Sequence, residues 1–195
     1  MGKGSPVLYI FSGLPGVGKS TLAVALAKQV GATYLRVDAI EQGLKELYKT
    51  DIYDEGYQLA FRIAKDNLKQ GLSVVGASCN SVTESRIAWQ QVAIDLHLQF
   101  VNIEVICSDN AEHQNRVETR QSSIADLKLP TWQQVQEREY HAWDGDVIRV
   151  DTAGEQVQQS VDKLFGLAGT LFVRRVSGFM QVVCGWQRHR YEVVW

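Results

Sequence analysis

The run Gly13-Leu14-Pro15-Gly16-Val17-Gly18-Lys19-Ser20, followed by Thr21, fits the pattern GxxxxGK(S/T) in full. Each residue type has a task in holding a phosphate chain. Gly13, Gly16 and Gly18 let the backbone approach closely, so that consecutive amides and a positive helix terminus surround the β-phosphate. The Lys19 ammonium would lie between the β- and γ-phosphates, the Ser20 hydroxyl would ligate Mg²⁺, and Thr21 adds a hydroxyl near the α-phosphate. The chemistry is binding of ATP with Mg²⁺. It requires a strand just before the loop and a helix just after it.

Both are present in the sequence. Val7 to Phe11 is a continuous apolar run of the kind a doubly covered strand shows. From Lys19 the residues Leu22, Ala25, Leu26 and Val30 recur at helical spacing, and Gly31 stands where a left-handed cap is wanted. Further strands are predicted at Thr33 to Val37, Leu72 to Val75, Phe100 to Cys107 and Val147 to Val150. Helices are predicted between them: one through Ile40 to Leu47, then Tyr57 to Gln70, Val82 to Leu96, Ala111 to Gln121, Thr131 to Ala142, and a closing Gln156 to Phe165. This alternation implies an α/β fold: a mostly parallel five-stranded sheet, doubly wound, with helices on both faces and right-handed crossovers. Ligands then bind beyond the C-terminal ends of the strands.

That edge collects the other candidates. Asp38 follows the second strand and could accept a proton from, or orient, a hydroxyl attacking the γ-phosphate; it could equally cap the next helix. Arg116 and Arg120 stand one helical turn apart and could clamp the charge that spreads during phosphoryl transfer, with Arg138 joining them. The alternative is a solvated face with Glu112 and Arg116 paired. Thr152, after the last strand, could border the adenine or cap a helix. Trp132, Tyr140 and Trp143 could stack an aromatic acceptor or pack in the core. The histidines, His97, His113, His141 and His189, lack metal-ligand spacing and read as surface or satisfied interior residues.

Composition narrows the classes. With 22 acidic and 20 basic residues the chain of 195 has a formal charge of −2, so no global field favours nucleic acid or an anionic membrane. Cys79, Cys107 and Cys184 are odd in number and widely spaced, which suggests thiols in a reducing compartment rather than disulfides or zinc. No apolar run is long enough to span a membrane and no signal-peptide order opens the chain, so a cytoplasmic location is expected. Thr170 to Trp195 breaks the pattern, being rich in valine, aromatics and arginine; a hairpin about Ser177-Gly178 is one expectation, an oligomer contact or a loose tail are others.

Several segments together resemble the family of small P-loop kinases that includes polynucleotide kinase, chloramphenicol phosphotransferase and zeta toxins, often labelled AAA-family ATPases. They are GLPGVGKST at Gly13 to Thr21, RVD at Arg36 to Asp38, CSDNAEHQNRVETR at Cys107 to Arg120, LPTW at Leu129 to Trp132 and VDTA at Val150 to Ala153. The first is general to P-loop proteins; the others are more specific. The resemblance runs from Val7 to Phe165 and implies an adenylate-kinase-like three-layer sandwich with a helical lid. It implies a kinase-like domain over 1–166 and an extension of unknown role over 167–195. By the same resemblance Asp38 matches the general base, Arg116 and Arg120 the lid arginines, and Thr152 the loop beside the adenine. One position departs: where similar sequences carry an aspartate after the third strand, this chain has Ala77. Ser78, Asn80 and Arg86 remain as polar candidates on the acceptor side.

The function these features imply is transfer of the ATP γ-phosphate to a hydroxyl of a small molecule whose identity, like the oligomeric state, the sequence leaves open. Two alternatives stand beside it: an ATP-binding regulatory protein with weak or no transfer, and a kinase of 5′-hydroxyl nucleic acid ends. The absence of an HRD and DFG set argues against a protein kinase, and the absence of GxGxxG after the first strand against a dinucleotide-binding dehydrogenase.

Overall fold

The computed structural model describes residues 5–176, with side chains to 168. In chain order the elements are β1 (Val7–Ser12), α1 (Lys19–Val30), β2 (Thr33–Arg36), α2 (Val37–Tyr48), α3 (Glu55–Lys69), β3 (Val74–Ala77), α4 (Thr83–Ile94), β4 (Gln99–Ile106), α5 (Asn110–Thr119), α6 (Trp132–Gln136), β5 (Ile148–Asp151) and α7 (Val157–Val176). The strands form one sheet in the order β2-β3-β1-β4-β5, and every pairing is parallel. This is the expected α/β layering, with helices on both faces.

β1 lies at the centre and is buried along its whole length. Its alternate side chains feed two cores. Tyr9 and Phe11 pack with Leu22, Leu26, Val105 and Leu164 beneath α1 and α7. Leu8 and Ile10 pack with Ala60, Leu68 and Trp89 beneath α3 and α4. The second core depends on Gly76 of β3, because a Cβ there would lie 2.7 Å from the Trp89 ring. Burying these side chains is worth about 1.5–3 kcal/mol each, and it fixes the strand ends from which the site is built.

The helix ends follow local chemistry. Gly31 takes the left-handed cap with φ 63°, and its amide returns to the Ala27 carbonyl. The Asp109 carboxylate accepts from the amides of Ala111 and Glu112 to start α5, and Thr131 with Gln134 forms a capping box at α6.

Two expectations change. The helix expected from Thr131 to Ala142 stops at Gln136. A tertiary competitor acts at the far end of that stretch: the His141 amide, which a helix through Ala142 would direct to Glu137, donates to the Ser81 carbonyl at 2.8 Å, and Arg86 holds the same segment through the carbonyls of His141 at 2.7 Å and Ala142 at 3.2 Å. The His141 amide is spent on the loop before α4 instead of on a helix. Arg138 therefore lies beyond α6, exposed. The closing helix, expected to end near Phe165, continues through Gly166 to Val176. A hairpin about Ser177-Gly178 would lie outside the described residues, as does Cys184.

Candidate active site

The phosphate loop runs from β1 into α1 and carries positive φ at Gly13 (141°), Gly16 (92°) and Gly18 (89°). The neighbours leave no room for side chains at two of these positions. A Cβ at Gly13 would lie 2.3 Å from the Val105 carbonyl oxygen, and one at Gly16 would lie 2.5 Å from Val117.

The loop is tethered from three directions. The Gly13 amide donates to the Cys79 carbonyl at 3.0 Å, and Asn80 Nδ2 donates to the Phe11 carbonyl at 2.7 Å. From α5, His113 Nε2 meets the Pro15 carbonyl at 2.8 Å while its ring sits edge-on to Trp132. From the end of β5, the Thr152 hydroxyl lies 3.0 Å from the Val17 carbonyl and 3.1 Å from that of Ile106. Buried tethers of this kind prepare the loop before any ligand arrives. Leu14, Val17 and the rest of the motif are held with it.

Lys19 begins α1 and is only 7% exposed, yet it makes no ion pair among the described residues. It lines a cleft of about 500 Å³ together with Gly16, Gly18, Ser20, Arg36 and Arg120. Thr21, Arg116 and Thr152 border the same cleft. A nearly buried ammonium without a counter-charge is costly unless an anion supplies one.

The two arginines of the expected clamp have separate positions. Arg116 donates to the Thr152 hydroxyl at 2.8 Å and the Thr152 carbonyl at 3.0 Å, and also pairs with Glu112. The i,i+4 pair and the cleft position thus coexist, and Arg116 binds α5 to the loop after β5. Arg120, at the end of α5, faces the other way, with Asp38 and Cys79 in electrostatic reach. Burial draws its guanidinium below the usual range against the pull of Asp38, and its Nε has no hydrogen-bond partner.

Asp38 is in the first turn of α2, where no side chain caps the helix; Arg36 Nε lies 3.7 Å from its carboxylate. Thr152 likewise caps nothing and instead ties the phosphate loop to α5. The three acceptor-side candidates part company. Ser78 and Asn80 are buried at the end of β3; the Ser78 hydroxyl meets the Tyr57 phenol, and Asn80 Oδ1 has no partner. Arg86 is withdrawn as a substrate contact: it is 3% exposed, its nitrogens donate to the carbonyls of Asn80, Ser81, His141 and Ala142, and its guanidinium covers the rings of Tyr140 and Trp143. It is a structural clamp, and Trp132, Tyr140 and Trp143 are packing residues.

Three residues join the site without a motif to announce them. Tyr34 faces Ser20, and burial pushes its phenol up. Its spacing of two from Arg36 puts both on the α1 side of β2, a signal the sequence does contain. Glu41 stands one turn after Asp38, and burial together with the Asp38 charge raises its carboxyl. Tyr57 of α3 faces Ser78 and Cys79, and burial pushes its phenol up to about 12.

A family model described as "AAA domain" matches residues 8–141. The chain belongs to that family. A Pyrococcus furiosus protein named "Putative adenylate kinase" is 23% identical over 96% of each chain. Among solved structures, a gluconokinase from Sinorhizobium meliloti superposes with a TM-score of 0.66 at 15% identity, covering 90% of this chain and 99% of that one. The APS kinase of Mycobacterium tuberculosis in complex with AMPPNP and APS gives 0.63 at 15% identity, covering 85% and 98%. The fold is that of small P-loop kinases, as the motifs imply.

Proposed function

We propose that this protein transfers the γ-phosphate of ATP to a hydroxyl group of a small molecule. The observation that carries the reading is Lys19: a nearly buried, unpaired ammonium beside a tethered glycine loop, with Asp38 and Arg120 across the same strand edge. The loop amides and Lys19 hold the β- and γ-phosphates. Arg116, with Thr152, borders the nucleotide, and Arg120 stabilises charge on the transferring group. Asp38 takes the proton of the acceptor hydroxyl. The acceptor oxygen bonds to the γ-phosphorus as the bond to the β,γ-bridging oxygen breaks, and ADP leaves with that electron pair.

The residues fit a Mg²⁺ ion through the Ser20 hydroxyl, which lies on the cleft wall with the phenol of Tyr34 beside it. When bound there it would neutralise charge between the β- and γ-phosphates. Among the described residues no helix is long and apolar enough to cross a membrane.

The test is incubation with γ-labelled ATP and Mg²⁺ against sugars, nucleosides, hydroxylated antibiotics and 5′-hydroxyl oligonucleotides, with Lys19→Ala and Asp38→Asn alongside. Label on a small molecule, lost in both variants, is the expected result. Label confined to oligonucleotides makes this a nucleic acid kinase. ATP binding without transfer to anything makes it a regulatory nucleotide binder.

A further inference from the structure

The phosphate loop turns at Pro15 and Gly16. Proline suits the first middle position of a turn of either common type, and glycine accepts either sign of φ at the second. The pair therefore leaves two orientations open to the peptide between them, related by a half rotation of its plane. The C=O and N–H of a trans peptide point opposite ways, so one orientation offers the Gly16 amide to the cleft and the other offers the Pro15 carbonyl. Only the amide attracts phosphate.

The φ of Gly16 is 92°, the value of a turn of the second type. Pro15 is buried, and its carbonyl lies 2.8 Å from His113 Nε2; Gly16 lines the cleft and Pro15 does not. A carbonyl only accepts, so Nε2 carries the hydrogen of this bond. The imidazole has little freedom to leave. It is 5% exposed, stands edge-on to the Trp132 ring with centroids 5.0 Å apart, and lies so close to the turn that a Cβ on Gly16 would be 3.3 Å from its Cδ2. Its helix is fastened four residues earlier by the Asp109 cap.

We propose that His113 is a positioning residue for phosphate binding: by holding the Pro15 carbonyl it fixes the Pro15–Gly16 peptide in the orientation whose Gly16 amide donates to the phosphates of the nucleotide. This rests on the nucleotide-binding reading above. Pro15 and Gly16 do not make that choice alone. Without the imidazole N–H the buried carbonyl loses its partner, and turning it toward the cleft becomes the way to solvate it. The amide is then directed away from the ligand. The same arrangement recurs two residues on, where the Val17 carbonyl takes the Thr152 hydroxyl and Gly18 lines the cleft.

Of the 3 prolines only Pro15 precedes a glycine, so carbonyl-labelled proline combined with nitrogen-labelled glycine gives one amide signal by NMR, that of Gly16. In the full-length protein ADP moves this proton downfield, as donation to a phosphate oxygen does. In His113→Phe, which keeps a ring against Trp132 and has no N–H, the ADP-induced shift is lost and the Kd for ATP rises about tenfold. His113→Gln, whose amide nitrogen reaches the place of Nε2, recovers most of both. A histidine that only packs would move the urea midpoint and leave the shift in place. The parent's own signal decides even where a variant folds poorly. A Gly16 amide unmoved by ADP in the parent, a shift and ATP Kd unchanged in His113→Phe, or a loss as great in His113→Gln as in His113→Phe overturns this proposal and leaves the nucleotide reading standing. A parent protein that binds neither ADP nor ATP overturns both.

Discussion

The backbone of the phosphate loop and the side chains that surround it are built on different plans. In the loop the backbone polar groups are already committed: the carbonyls of Phe11, Pro15 and Val17 and the amide of Gly13 each have a partner from a distant element. The side chains around it are less committed: Asn80 Oδ1 and the Nε atoms of Arg36 and Arg120 have no hydrogen-bond partner. A loop that must present several amides to phosphate at once gains from being finished beforehand, since no reorganisation is needed during reaction. Side chains that are to meet a ligand must keep donors and acceptors open, at a cost in stability.

The contrast can be broken most severely where the two sides meet. Arg120→Ala is expected to lower turnover by about 10³-fold with ATP affinity changed far less, because in the proposed reaction its guanidinium, whose Nε has no partner, acts on the transferring group and not on the prepared loop. Single-turnover kinetics with separately measured ATP binding would check this; a loss in ATP affinity alone would assign Arg120 to the prepared side.

Next in size is Gly13→Ala. A side chain at φ 141° against the Val105 carbonyl costs on the order of 3 kcal/mol, so the urea midpoint falls and ATP affinity falls with it. An unchanged midpoint would mean that the loop is less constrained than its tethers imply.

The two halves also differ in how far sequence reaches them. The phosphate loop is legible because only glycine meets its backbone demands, and the strand order follows from alternation and parallel pairing. Arg86 is not legible: a buried arginine whose partners are main-chain carbonyls some 55 residues away leaves no pattern. The early end of α6 is hidden for the same reason, since Thr131 to Ala142 has an acceptable helical composition and the bond that takes the His141 amide comes from Ser81. His113 reads as a surface or a satisfied interior residue, and nothing local points it at Pro15. Glu41 had a usable signal in its one-turn spacing from Asp38, and Gly56, which makes room for it, had none.

Smaller effects sharpen the difference. Ser78→Ala should lower stability by about 1 kcal/mol by urea titration, since its buried hydroxyl meets the Tyr57 phenol. An unchanged midpoint would show that this contact closes no bond. Smallest is the pH behaviour of Glu41→Gln. A carboxyl raised in the folded state disfavours folding once it is ionised in both states, so the variant should unfold at slightly higher temperature than the parent at neutral pH. The gain should fade as pH falls through the raised carboxyl range, where Glu41 itself becomes neutral. Thermal melts across that range give the sign, and a variant less stable at neutral pH would reverse it.

The tether from Thr152 to Val17 joins residues 135 apart in sequence. Synthesis runs from the N-terminal end, so the phosphate loop is made well before β5 and is completed only after it. A nascent chain that has not yet released β5 lacks the Thr152 groups that hold Val17 and Arg116. The finished loop is thus a product of the closed five-stranded sheet and not of its own segment alone.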